Sequence, residues 1–215
     1  MELIITSYCK IKRNTIYLEG NKIISSNSEN PSYFFAEAYK TLELNYPKFH
    51  KMDMLSKLGF LATETLLSIP KAFGTEFLLR NNLNQISIIL SNHSSSLDTD
   101  RIYQKSISNK DQYLPSPATF VYTLPNIVIG EIAIKHKITG ENAFFVSEKF
   151  DAELLVNYTQ ELFKEANTNA AICGWVDYDD ANYEAFIYLV EKATDSIKNA
   201  NFKALNQTLL NQLFL

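Results

Sequence analysis

The reactive side chains of this sequence fall in a few places. Cys9 and Cys173 are its only thiols, and a thiolate could accept an acyl group. Both sit in apolar, strand-like runs. Cys173 lies before Gly174 inside such a run, not at a strand-to-helix turn, so both are read as reduced, buried core thiols. His93 is followed by Ser94, Ser95 and Ser96, which are fragments of a hydrolase site. The flanking glycines of a nucleophile elbow are missing and no separate acid and base can be assigned, so this is a polar loop after a strand. Asp177, Asp179 and Asp180 could suggest a divalent cation, yet there is no spaced ligand loop with its turn glycine. They read as a solvated acidic turn. Neither a metal nor a cofactor is expected.

The elements that must position these residues follow from periodicity. Residues 3–11 read as a strand, and 15–24 as a hairpin partner turning near Glu19-Gly20-Asn21. Helical spacing marks 33–44 and, more strongly, 52–67, where Met54, Leu55, Leu58, Leu61, Ala62 and Leu66 form one stripe. Asp53 stands near the positive end of that helix. Residues 86–91 form a continuous apolar run that suits a buried strand. A short helix is expected over 98–107 and a long apolar helix over 120–136. Strand 143–147, amphipathic helix 152–164, buried strand 170–177, a further strand over 186–191 and a closing helix over 194–213 complete the pattern. Alternating strands and helices indicate α/β layers in a single domain over 1–215.

Composition narrows the function. The 215 residues are 46% apolar, enough for one ordinary core. A net charge of −4 with scattered Lys and Arg lacks the basic stripe that nucleic acid requires. No run approaches the roughly 18 apolar residues of a membrane span, and the first residues lack the basic flank of a signal peptide. A cytoplasmic location is expected.

Three segments, in order, resemble the N-terminal half of β-ketoacyl synthases, of the thiolase-like superfamily. His50-Lys51-Met52-Asp53-Met54-Leu55-Ser56-Lys57-Leu58 is similar to the family's R-R-M-D-x-L-S-R helix entry. Ser116-Pro117-Ala118-Thr119-Phe120-Val121-Tyr122-Thr123, continuing through Asn126 to Ile134, is similar to its S-P-x-x-F-x-x-T helix, although Glu141 stands where proline is usual. Ile172-Cys173-Gly174-Trp175-Val176-Asp177 is similar to the glycine-bearing strand after the nucleophile helix. The resemblance covers about 1–188. It implies a thiolase-like half-fold with a mixed sheet layered by helices.

Counting without gaps from Asn126 and from Gly174 places the family's nucleophile cysteine at Lys149, within Val146-Ser147-Glu148-Lys149-Phe150. A buried lysine can form Schiff bases, but neighbouring Glu148 favours a solvated or ion-paired amine. The family's catalytic histidines belong to its second half, and His50, His93 and His136 lie outside any matching motif. The resemblance therefore implies no catalytic residue here and no independent condensation. It implies instead a subunit similar to chain-length factors. Such a subunit pairs with a full-length β-ketoacyl synthase and reaches acyl carrier protein through that complex, in fatty acid or polyketide synthesis of the aryl polyene type.

On that resemblance, the strand through Phe144, Phe145, Val146 and Ser147 pairs with its equivalent across a dimer. Thr119, Phe120 and Tyr122 wall the partner's acyl tunnel, and Phe150 adds to the interface. A half-fold also leaves one side of helix 152–164 uncovered, which calls for a partner, for a lid from the helix expected over 194–213, or for both. Two other classes stay open: an independent acyl-thioester-modifying enzyme on the same fold, and a structural acyl-binding module.

Overall fold

Two tight turns start the sheet. Arg13 and Asn14 have φ of 50° and 54°, and Glu19 and Gly20 have φ of 52° and 82°. Positive φ at both central residues gives the twist that two-residue hairpins need. β1 (Leu3–Lys12) thus turns into β2 (Thr15–Leu18), and β2 into β3 (Asn21–Ser25). The hairpin expected over 15–24 is this β2–β3 pair.

The structure is a computed structural model that describes residues 2–68, 74–109, 111, 113–165, 167–180, 182–193 and 202–215. Past β3 come α1 (Pro31–Thr41), α2 (Met54–Ser68), α3 (Gly74–Arg80), β4 (Ile86–Asn92) and α4 (Leu97–Ile107). Then follow α5 (Pro117–Val121), α6 (Ile127–His136), β5 (Asn142–Val146), α7 (Ala152–Glu165), β6 (Ala170–Asp179) and β7 (Asn182–Lys192). β8 (Lys203–Ala204) and α8 (Gln207–Phe214) end the chain.

The sheet runs β3-β2-β1-β7-β6-β4-β5, and β8 pairs with β1. β4 is parallel to β5 and β6, while the β1–β7 and β6–β7 ladders are antiparallel. The mixed α/β layering expected from the sequence is what the chain adopts.

Period-2 alternation sends β6 into two cores. Ile172 and Val176 pack with α2 and α6 on one face, and Ala171 and Cys173 pack with α7 and α8 on the other. α2 is fixed at its start by Asp53, whose Oδ1 accepts from the Ser56 N–H at 2.9 Å and whose Oδ2 accepts from Thr99 Oγ1 at 2.9 Å. Gly59 lets α2 approach α6, since a Cβ there would meet a Val128 methyl at 2.4 Å.

Two expectations need correction. The helix expected over 120–136 is two helices, α5 and α6, separated by the turn at 122–126. Pro125 lacks an N–H and disfavours helical backbone at the residue before it. The helix expected over 194–213 lies partly outside the described residues. Within 202–213 the chain first adds β8 to β1, through Ile4↔Ala204 and Ile5↔Lys203, and only then turns helical. Asn206 sets that start, its Oδ1 accepting from the Leu209 N–H at 2.9 Å.

Candidate functional site: the strand-to-helix turn and the open sheet edge

β5 delivers the chain to a turn at 147–151 that leads into α7. A strand entering a helix here is the geometry that would present a nucleophile. Lys149 sits in the turn, and it and Glu148 are exposed to solvent. Asp151 already caps the helix, its Oδ1 accepting from the Leu154 N–H at 2.9 Å. A carboxylate thus occupies the positive helix end that could otherwise favour a thiolate.

Both sulfurs lie elsewhere. Cys9 is fully buried in β1 and Cys173 in β6. Burial pushes the Cys173 thiol up to about 12, slightly offset by its contact with Thr159 Oγ1 at 3.5 Å. Burial likewise raises Cys9 far above the ordinary thiol range. Neither sulfur is a nucleophile near neutral pH.

The histidines are spread out. His50 packs edge-on against Tyr39 and Phe49. His136 pairs with buried Glu64 at 2.5 Å, tying α6 to α2. His93 is exposed, with Nδ1 3.3 Å from the Ser147 carbonyl, so it borders the turn. Asp177 anchors this rim: its Oδ1 accepts from the His93 and Ser94 N–H groups at 3.0 and 2.8 Å, and its Oδ2 accepts from Ser94 Oγ at 3.3 Å. Sequence reasoning treated the serine loop and the acidic turn as unrelated. They lie more than eighty positions apart, and only the parallel register of β4 and β6 brings them together. Among the described residues, no group of three His, Cys, Asp or Glu side chains could hold a metal ion.

β5 is the edge of the sheet and bonds to β4. The Ser147 N–H donates to the Asn92 carbonyl at 2.8 Å and the Glu141 carbonyl accepts from Ile88 at 3.0 Å, so odd-numbered residues bond inward. By alternation, the backbone groups of Phe144 and Val146 point away from the sheet. Val146 is 57% exposed, and the preceding elements expose Phe120 at 55%, Leu124 at 54% and Ile134 at 62%. Among the described residues the outer side of β5 has no strand partner, and an open edge is a surface natural proteins cover, as are large exposed apolar side chains.

The remaining expected interface residues separate by environment. Tyr122 is buried and donates from its hydroxyl to Glu131 Oε1 at 2.8 Å, while Lys48 reaches Glu131 Oε2 at 2.9 Å. Thr119 donates to Ser116 Oγ at 3.0 Å and lines a groove of about 270 Å³ with Tyr122, Ile102 and Lys57. Phe144 packs toward the α2/α6 core. Phe145 turns to the opposite face and meets Tyr158 edge-on at 4.9 Å. Phe150 stacks on Phe214 with ring centres 4.1 Å apart.

No family model matches the chain, and no curated protein does. Solved structures do match. A structure titled the ishigamide ketosynthase/chain length factor superposes with a TM-score of 0.65 at 15% identity, covering 95% of this chain and 65% of its own. A type II PKS acyl-carrier protein in complex with its ketosynthase gives 0.67 at 12% identity, with 92% and 64% covered. The ketosynthase ApeO in complex with its chain length factor ApeC, from Xenorhabdus doucetiae, gives 0.57 at 13% identity, with 91% and 81% covered. The chain therefore has the thiolase-like fold of ketosynthases and spans just under two thirds of the length of the first two. No helix among the described residues is long and apolar enough to cross a membrane.

Proposed function

We propose that this chain, built on the ketosynthase fold, is a non-catalytic subunit of the chain-length-factor type. One observation carries the reading: in the strand-to-helix turn between β5 and α7, which the sequence resemblance aligns with the family's nucleophile, the chain offers the exposed amine of Lys149 and no thiol. Condensation through an acyl-thioester needs a thiolate held among donors that stabilise the developing oxyanion. The partner, a full-length β-ketoacyl synthase, supplies these groups, and acyl carrier protein delivers the acyl chain to it.

This subunit contributes surface and shape. The β5 edge, with the outward N–H and C=O groups of Phe144 and Val146, pairs with the equivalent strand of the ketosynthase. Phe120 and Thr119 on α5 face the partner's acyl tunnel and limit how far a chain grows. Two of the similar structures are a ketosynthase/chain length factor and a ketosynthase in complex with its chain length factor. The sequence resemblance extends the proposal to aryl polyene synthesis.

Co-expression with ketosynthases encoded beside this gene, followed by native mass spectrometry, tests the reading. A one-to-one heterodimer that condenses, with this chain inert alone, is the expected result. Turnover of acyl-CoA or acyl carrier protein thioesters by this chain alone would mean an independent enzyme. A monomer indifferent to every ketosynthase would mean an acyl-binding module.

A further inference from the structure

On the α7/α8 face, Phe214 from the last turn of α8 fills a box of aromatic rings. It lies parallel to Phe150 at 4.1 Å and meets Trp175 and Phe186 edge-on at 6.5 and 6.0 Å. Trp175 is nearly fully buried, yet among the described residues its indole Nε1–H has no hydrogen-bond partner, and nor does the hydroxyl of buried Tyr188 on the neighbouring strand. A buried donor without an acceptor is costly, so this part of the core is not fully satisfied.

Positive charge adjoins this box. Lys10 on β1 pairs in register with Phe186 on β7. Alternation puts Lys10 and Lys12 on the same face as Tyr8, which packs into the α7/α8 core. Lys10, Lys12 and Arg13 line a cavity of about 450 Å³ that Leu215, the neighbour of Phe214, also borders. Glu184 neutralises Lys12 at 3.0 Å. The Lys10 ammonium is destabilised, first by burial and then by Lys12, and Glu184 offsets this only in part, so an added anion would relieve it further.

We propose that the Phe150–Trp175–Phe186 box and the adjoining Lys10–Lys12–Arg13 cavity form one binding site for an aromatic carboxylate, which Phe214 holds shut. The ring of the ligand replaces that of Phe214, and its carboxylate enters the basic cavity. Release requires the last turn of α8 to unwind, while Leu209 and Leu210 anchor the helix further back.

Trp175 is the sole tryptophan, so one indole N–H resonance in a ¹⁵N-correlated NMR spectrum reports on the box. Phenylacetate is titrated into the full chain and into Phe214→Ala, with acetate and phenylacetamide as probes lacking the ring or the charge. The expected result is a saturable shift in Phe214→Ala, with a Kd at least tenfold below that of the unaltered chain. Adding Lys10→Gln to Phe214→Ala should weaken binding at least fivefold. Phe214→Leu, which keeps the apolar cover of α8, serves if Phe214→Ala loses its dispersed spectrum. No saturable shift in a folded variant, equal affinity in the unaltered chain, or acetate or phenylacetamide matching phenylacetate would each overturn the proposal.

Discussion

At the scale of single residues, the chemistry is decided by where the sulfurs are. Cys9 and Cys173 are fully buried in strands, and burial holds both thiols protonated. Ellman's reagent at pH 8 should therefore release almost nothing from the folded protein and two equivalents after denaturation. Lys149→Cys should add one equivalent that reacts within minutes, because the turn at 147–151 is open to solvent. Slow reaction at that position would mean that the turn is covered. Counting from Asn126 and from Gly174 pointed to Lys149, which lies exposed in the turn between β5 and α7. The anchoring of His93 and Ser94 by Asp177 was not, since a contact across so many positions leaves no trace in local periodicity.

At the scale of elements, caps and close approaches set the frame. Asp53→Ala removes both the α2 cap and the bond to Thr99, and should lower unfolding stability by about 1–2 kcal/mol in urea titration. Gly59→Leu should cost more, about 3 kcal/mol, because its side chain meets Val128 where α2 crosses α6; adding Val128→Ala should recover part of the loss. Val146→Pro removes an outward N–H at the open edge without touching the β4–β5 bonds, so the chain should stay folded. Its affinity for a ketosynthase partner should fall at least tenfold by native mass spectrometry or calorimetry, and unchanged affinity would exclude pairing through that edge. The strong stripe of α2 and the apolar run of β4 were readable because one repeating signal filled each element. The break between α5 and α6 was missed because apolar residues continue through it, and Pro125 with its turn outweighs them. The late start of α8 depends on Asn206 and on β8 joining β1, a tertiary event.

At the scale of the whole molecule, the part of the lid expected over 194–213 that lies within the described residues is α8. α8 places Leu209, Leu210 and Phe214 over the α7 face. Tunnel length is the test of the assembled complex. Thr119→Trp fills the groove beside Ile102 and Tyr122, and should shorten the products by one or more two-carbon units while condensation continues, as read by mass spectrometry. Unchanged products from an intact heterodimer would remove α5 from the tunnel wall.

The middle of the sheet also constrains how the protein is made. β1 sits between β2 and β7, and its longest ladder joins Leu3 to Lys192 and Lys12 to Glu184. The ribosome must add everything between β1 and β7 before that partner emerges, on the order of ten to forty seconds at ordinary elongation rates. Throughout that interval the apolar first half of β1, with Leu3, Ile4 and Ile5, lacks its partner, while Cys9 to Lys12 can already pair with β2. Production in cells should depend on chaperones that shield nascent chains, and slower translation should lengthen the window for aggregation.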